Sequence, residues 1–211
     1  MLRYRFLILA LTLCLTQIIS ANPIDPGRDI LNKSRRQISL LQDISSSFTY
    51  VIQHPNRNPV NRSGSFIYKQ GKYVIDLPSQ RLICDQTRLW VYAKRENTVS
   101  VQTYDPSSDV GVQRIFEVYQ TNVQAVHTGS EVIGGITCEK LVLDPTDRDK
   151  SFTKAFLWVD KRNALPVRIV MINRNGTTTN YTFSNMQVNR GVSDRVFGFD
   201  FRDYPGVTSG S

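Results

Sequence analysis

From Phe48 onward the chain is a series of short runs rich in Val, Ile, Tyr, Phe and Trp, each bounded by Gly, Pro, Asn, Asp or Ser. Such runs predict strands joined by turns. Segments 48–54, 64–69, 89–93, 123–133 and 177–188 are examples, and 197–201 reads as the last strand. Gly134-Gly135 and Asn175-Gly176 are two-residue hairpin signals. In all, about ten or eleven strands are expected in a mainly β (α+β) chain. Several of them, such as Leu89-Trp90-Val91-Tyr92, are apolar at both parities, whereas a sheet with one face in water alternates strictly. Two explanations fit. Either the second face is covered and belongs to an ordinary core, or a strongly curved sheet keeps an apolar concave face for a ligand.

Only one long stretch breaks from this pattern before the strands begin. Ile30, Leu31, Ile38, Leu41 and Ile44 recur at spacings near three and four, which predicts an amphipathic helix over 25–46. Asp25 is placed to cap it, and Pro26 sits where a missing N–H costs nothing. Arg35 and Arg36 fall on its polar face. A second, short helix is expected over 105–122, where Val112, Ile115, Phe116 and Tyr119 share one side. That segment reads as a lid or a crossover.

The first 21 residues are a separate unit. Arg3 and Arg5 precede an apolar run from Phe6 to Ile19, followed by Ser20, Ala21, Asn22 and Pro23. This is the pattern of a secretory signal, with cleavage expected after Ala21. Leu13 precedes Cys14 and apolar residues continue beyond it, so Cys14 belongs to the apolar run and the mature chain is expected to carry no lipid anchor. One domain is expected over 22–207, with a loose tail at 208–211. Cys84 and Cys138 then remain in an oxidising compartment, where a single bridge is one option. Both lie inside predicted strands with several others between them, which favours free thiols.

Composition removes more functions than it suggests. The 211 residues carry 26 Lys and Arg against 18 Asp and Glu, a formal charge of +8, spread evenly with no basic run longer than Arg35-Arg36. An even charge on an exported chain suits solubility and attraction to anionic surfaces better than nucleic acid. Two histidines and three cysteines leave little for a metal cluster. No phosphate-binding loop or nucleophile elbow is present. Asp144, Asp147 and Asp149 lack the glycine and closing Glu of a calcium loop. His54 and His127 have no triad or ligand spacing around them, and the sequons at Asn61, Asn175 and Asn180 matter only in a glycosylating host. No catalytic residue, metal or cofactor is expected.

Several ordered motifs remain. Ser46-Ser47-Phe48 follows the helix, and Gly64-Ser-Phe-Ile-Tyr-Lys comes next. Then come Asp85, Leu89, Trp90 and Tyr92 in a D-x-x-x-L-W-x-Y stretch, and Phe197-Gly-Phe-Asp-Phe with Tyr204-Pro-Gly-Val at the end. In these motifs, over roughly 30–207, the chain resembles the periplasmic outer-membrane lipoprotein carrier family (LolA-like). The resemblance implies an unclosed antiparallel β-barrel with helices as a lid. It implies a periplasmic monomer that takes acylated lipoproteins from an inner-membrane ABC transporter complex, with transient membrane proximity, and passes them to an outer-membrane receptor. Two departures concern the lid. Lys69-Gln70-Gly71 stands where many members have Arg-Pro, whose Arg holds the lid closed, and a Lys lacks the planar fork of Arg. Gln86 stands where the family has Gly.

The residues expected to line the lipid-binding cavity are the large apolar side chains of mid-strands and lid. They are Phe66, Tyr68, Tyr73, Trp90, Tyr92, Phe116, Phe156, Trp158, Ile169, Met171, Tyr181 and Phe183. A one-residue error of register would exchange the inward and outward sets. The competing function is an envelope lipid-binding sensor or interaction module on the same open-barrel scaffold, since one fold hosts many functions.

Overall fold

Asp25 caps the first described element, its Oδ1 accepting from the N–H groups of Gly27 at 3.1 Å and Arg28 at 3.2 Å. The computed structural model describes residues 25–105, 118–119, 121–147 and 152–210. The expected signal segment, Phe116 and most of the expected lid helix lie outside them. Helix α1 (Pro26–Ser39) is followed by β1 (Ile44–Gln53), β2 (Val60–Lys69), β3 (Lys72–Asp76), β4 (Gln80–Cys84), β5 (Arg88–Ala93) and β6 (Thr98–Thr103). Then come β7 (Val123–Ile133), β8 (Ile136–Pro145), β9 (Phe152–Asp160), β10 (Pro166–Asn173), β11 (Thr178–Val188) and β12 (Thr208–Ser209).

The twelve strands of the described residues form one unclosed sheet in the order β12-β6-β5-β4-β3-β2-β1-β11-β10-β9-β8-β7. Two antiparallel meanders are thus joined through β1 and β11. A sheet this wide curls rather than staying flat. The result is an open barrel with α1 on one face, as the resemblance implies.

α1 stops at Ser39, seven residues short of the sequence expectation. Leu40 is its C-cap, and Ser39 Oγ donates to the Arg36 carbonyl at 2.9 Å. Ile44, whose spacing suits a helix, instead pairs with Tyr68 on β2 and Val188 on β11. A three-residue spacing alone does not distinguish the last turn of a helix from the start of a strand.

The chain end also differs from expectation. The 197–201 run is not a strand. It spans two 3-10 turns, Asp194–Phe197 and Phe201–Asp203, whose caps Ser193 and Asp200 accept from the N–H groups of Arg195 and Arg202. The tail is not loose at its start. Thr208–Ser209 pairs in parallel with β6, with the Thr208 N–H on the Asn97 carbonyl and the Gly210 N–H on the Val99 carbonyl, which uses part of an edge strand's free backbone.

Residues 189–207 form a strap over the outer face of the sheet. Val192, Val196, Phe197 and Phe199 cover Val74, Ile83, Trp90 and Val99. Asp43, 1% exposed, anchors the strap by accepting backbone N–H groups from Arg190 at 2.9 Å, Gly191 at 2.9 Å and Val192 at 3.1 Å. Lys69 and Lys72 both pair with Asp194, at 2.8 and 3.0 Å.

Candidate functional site

The inner face is built by strict alternation. One row across the sheet runs Arg62, Tyr50, Tyr181, Ile169, Leu157 and Leu141, each opposite the next. A second runs Phe66, Ile75, Leu82 and Val91, and a third runs Tyr68, Tyr73, Cys84 and Leu89. Apart from the exposed Arg62, these side chains join one continuous apolar cluster with Phe48, Phe183, Met171 and Leu143, and Ile30, Leu31, Ile38 and Leu41 bring α1 onto it. Aromatic rings concentrate where β2, β1 and β11 meet. Tyr50 stacks on Tyr181 at 5.7 Å, Phe48 lies 6.2 Å from Phe66, and Phe66 meets Phe183 edge-on at 6.2 Å.

Of the twelve residues expected to line a cavity, the structure brings seven together here: Phe66, Tyr68, Tyr73, Ile169, Met171, Tyr181 and Phe183. Trp90, Tyr92, Phe156 and Trp158 are on the opposite face. Trp90 lies in the row Ile67, Val74, Ile83 beneath the strap. Tyr92 donates its hydroxyl to Asn97 and packs on Tyr204 at 4.7 Å. Trp158 donates its indole N–H to Glu131 at 2.8 Å and is flanked by the cations of Lys140 and Arg168, with Phe156 beside it. Their inward neighbours are the aliphatic Leu89, Val91 and Leu157 and the small Ala155. Both parities of these strands are apolar, so ring size did not reveal the facing. Phe48 and Tyr50, which the reading of the sequence passed over, face inward, and the alternation of β1 was the signal for them.

A buried polar group sits in the middle of this face. Tyr73 is 0% exposed, and its hydroxyl, beside the Cys84 thiol on the next strand, has no hydrogen-bond partner among the described residues. Burial first, then the neighbouring Cys84 and Tyr104, push its phenol well above the ordinary tyrosine range. Burial likewise raises the Cys84 thiol. Cys84 faces inward and Cys138 outward, in separate clusters, and both are free thiols.

The fastening of α1 falls to Ser34, for which the sequence carried no expectation, and to Arg35, expected on the polar face. Ser34, 0% exposed, donates to the Ala164 carbonyl at 2.7 Å. With its one proton so committed, Ser34 Oγ accepts from the Tyr119 hydroxyl 3.1 Å away. Arg35 donates to the Thr121 carbonyl at 2.7 Å. Lys69 does not act on this face at all. It donates to the Val192 carbonyl at 2.7 Å and pairs with Asp194, so it holds the outer strap. Gln86 carries the left-handed φ of 78° that a glycine adopts freely, and its side-chain amide donates to the Gln70 carbonyl at 2.8 Å.

At the far end of the inner face a polar cluster closes the β7–β9 corner. Glu139 lies 2.9 Å from Lys161, 2.8 Å from His127 Nε2 and accepts from Ser130 at 2.8 Å. The carboxylate sits between the hydroxyl and the imidazole, so this is not a nucleophile–base arrangement. Among the described residues no group of three or more His, Cys, Asp or Glu is placed to hold a metal ion. No described helix is long and apolar enough to cross a membrane.

An unclosed barrel with an apolar, aromatic inner face under one helix is the build of a lipid or lipoprotein carrier fold. The chain belongs to the family described as outer membrane lipoprotein carrier protein LolA, whose model matches residues 39–200. No curated protein matches it. Among solved structures it is similar to an uncharacterized conserved protein from Thermus thermophilus, with a TM-score of 0.56 at 11% identity, covering 88% of this chain and 99% of that one. It is also similar to LprF from Mycobacterium bovis, with a TM-score of 0.52 at 15% identity over 80% of this chain and 95% of that one. A LolA superfamily protein from Nitrosomonas europaea matches with a TM-score of 0.46 at 16% identity, covering 83% and 98%.

Proposed function

We propose that this protein is a periplasmic carrier that shields the acyl chains of lipoproteins and moves them from an inner-membrane ABC transporter complex toward an outer-membrane receptor. The observation that supports this reading most is the continuous apolar cluster of the inner face, contributed by strands of both meanders and sheltered by α1. Each acyl CH₂ withdrawn from water is worth roughly 0.8 kcal/mol, so a sixteen-carbon chain brings about 12 kcal/mol. A carrier must also let go. In this chain the same face is shut against solvent by its own elements, and part of the binding free energy goes into displacing them. No bond is made or broken, and no nucleotide is needed on the carrier.

Native mass spectrometry of the protein purified from its own cell envelope, without detergent, tests this. An adduct with the mass of an acylated polypeptide is the expected result. Phospholipid adducts alone would make it a general lipid binder, and the absence of any apolar ligand would leave the inner face as ordinary core.

A further inference from the structure

β2 outruns its partner. Its residues from Val60 to Gly64 pair with β1 on one side, but pairing with β3 begins only at Ser65 opposite Asp76. Beyond that point β3 turns away, with the Leu77 N–H bonded to the Gln80 carbonyl at 2.9 Å. The divergence opens a cleft of about 800 Å³ between the unpaired edge of β2 and the Leu77–Gln80 turn. Its floor continues into the interior, because Tyr50 and Leu77 belong to both the cleft and the inner-face cluster. At Gly64 the strands pass so closely that a Cβ would fall 2.8 Å from Leu77 Cδ2 and 3.1 Å from Phe48 Cζ.

The charge of the cleft is one-sided. Among the described residues no Asp or Glu lines it, and Arg62 is its only cation. The exposed Arg62 guanidinium donates to the Asn61 carbonyl and pairs with no carboxylate of the described residues. Asp76, at the end of the neighbouring strand, is already paired with Lys94 and Arg81.

We propose that this cleft seats an extended stretch of cargo polypeptide, added as a strand to the free edge of β2, with a cargo carboxylate on Arg62. This rests on the carrier reading above, for it gives the polypeptide next to the acylated end a place beside the acyl chains. Asn61, Arg62 and Ser63 line the cleft and span about 10 Å of this edge, enough to pair a short peptide strand whose main-chain hydrogen bonds supply the affinity. A carrier built this way reads the peptide only through its backbone and one charge, and so accepts many sequences.

Calorimetric titration with five probes tests the proposal: palmitate; methyl palmitate; a peptide Cys-Ser-Ser-Asp-Ala-Asp palmitoylated on its Cys; the same peptide N-methylated at alternate backbone amides; and the unacylated peptide. The acylated peptide should bind about tenfold or more tightly than palmitate, a gain that N-methylation removes. Arg62→Glu should weaken the acylated peptide by a similar factor and leave methyl palmitate, which has the acyl chain but no carboxylate, unchanged, and Arg62→Lys should recover part of the loss. Equal binding of palmitate and acylated peptide, or indifference to N-methylation, overturns the peptide cleft while the carrier reading stands. Binding of the unacylated peptide without palmitate supports the cleft and overturns the carrier. No binding of any probe overturns both.

Discussion

Tyr73 and Trp90 show how little a residue type says about its side of this sheet. Tyr73 is inward, 0% exposed, and leaves its hydroxyl without a hydrogen-bond partner among the described residues. A buried hydroxyl whose polar neighbour is the Cys84 thiol, a weak partner, recovers little of what it loses on leaving water. Tyr73→Phe should therefore raise stability by about 1 kcal/mol, read as a higher urea midpoint at unchanged slope. Trp90, one of the twelve residues expected to line the cavity, is outward and packs under the strap. Trp90→Ala should cost about 3–5 kcal/mol of stability while the affinity for palmitate stays within twofold. Tyr181→Ala, on a half-buried inner-face position stacked on Tyr50, should reverse that profile, with a small stability loss and about tenfold weaker palmitate binding. If the two variants showed the same pattern, the assignment of faces would fail. The sequence marked both positions as large and apolar but did not mark the faces. A strand buried on both sides keeps its period of two in backbone geometry and loses it in hydropathy.

At the scale of elements, the strands were legible because their turns carry explicit chemistry. Gln70-Gly71 and Gly134-Gly135 take the positive φ values that two-residue hairpins need, and the β2–β3 and β7–β8 boundaries follow. The end of α1, the 3-10 turns and the paired tail were not legible, because long-range contacts decide them: Ile44 on β11, Phe197 in the buried cluster of Val74, Ile83, Trp90 and Val99, and residues 208–209 on β6. The β7–β9 corner is another long-range assembly, and it has a pH signature. Lys161 chiefly, opposed by burial and helped by Ser130 and His127, holds the Glu139 carboxyl down to about 2. An unfolded Glu titrates near 4.3. Because the folded value is the lower one, Glu139 contributes stability that is complete above the unfolded value and is lost as pH falls toward about 2. Glu139→Gln should thus lower stability by about 1–2 kcal/mol at pH 7 and by progressively less between pH 5 and 2. Urea midpoints of both proteins across that range should converge, and parallel curves would remove Glu139 from the account of acid sensitivity.

For the molecule as a whole, the apolar interior is closed by the same chain that must open to admit cargo. Phe66, Ile169 and Met171 are each 2% exposed or less, so no acyl chain reaches them while every packed element stays in place. Among the described residues α1 is the one helix of more than a turn on this face, and its buried tie is Ser34, which donates to the Ala164 carbonyl. Removing that hydroxyl leaves a buried carbonyl without its donor, at a cost of about 1–3 kcal/mol in the closed arrangement only. If α1 is the gate, the cost falls on the closed state and raises the open fraction by about 5- to 150-fold until that state ceases to be rare. Ser34→Ala should then bind a fluorescent fatty acid with a several-fold faster association rate in stopped flow, and with higher apparent affinity, because less free energy goes into opening. A protein that lost the same stability with an unchanged association rate would show that α1 is only structural. The wild-type hydroxyl, on this argument, keeps affinity below its maximum, and a carrier that hands its cargo on requires that reserve.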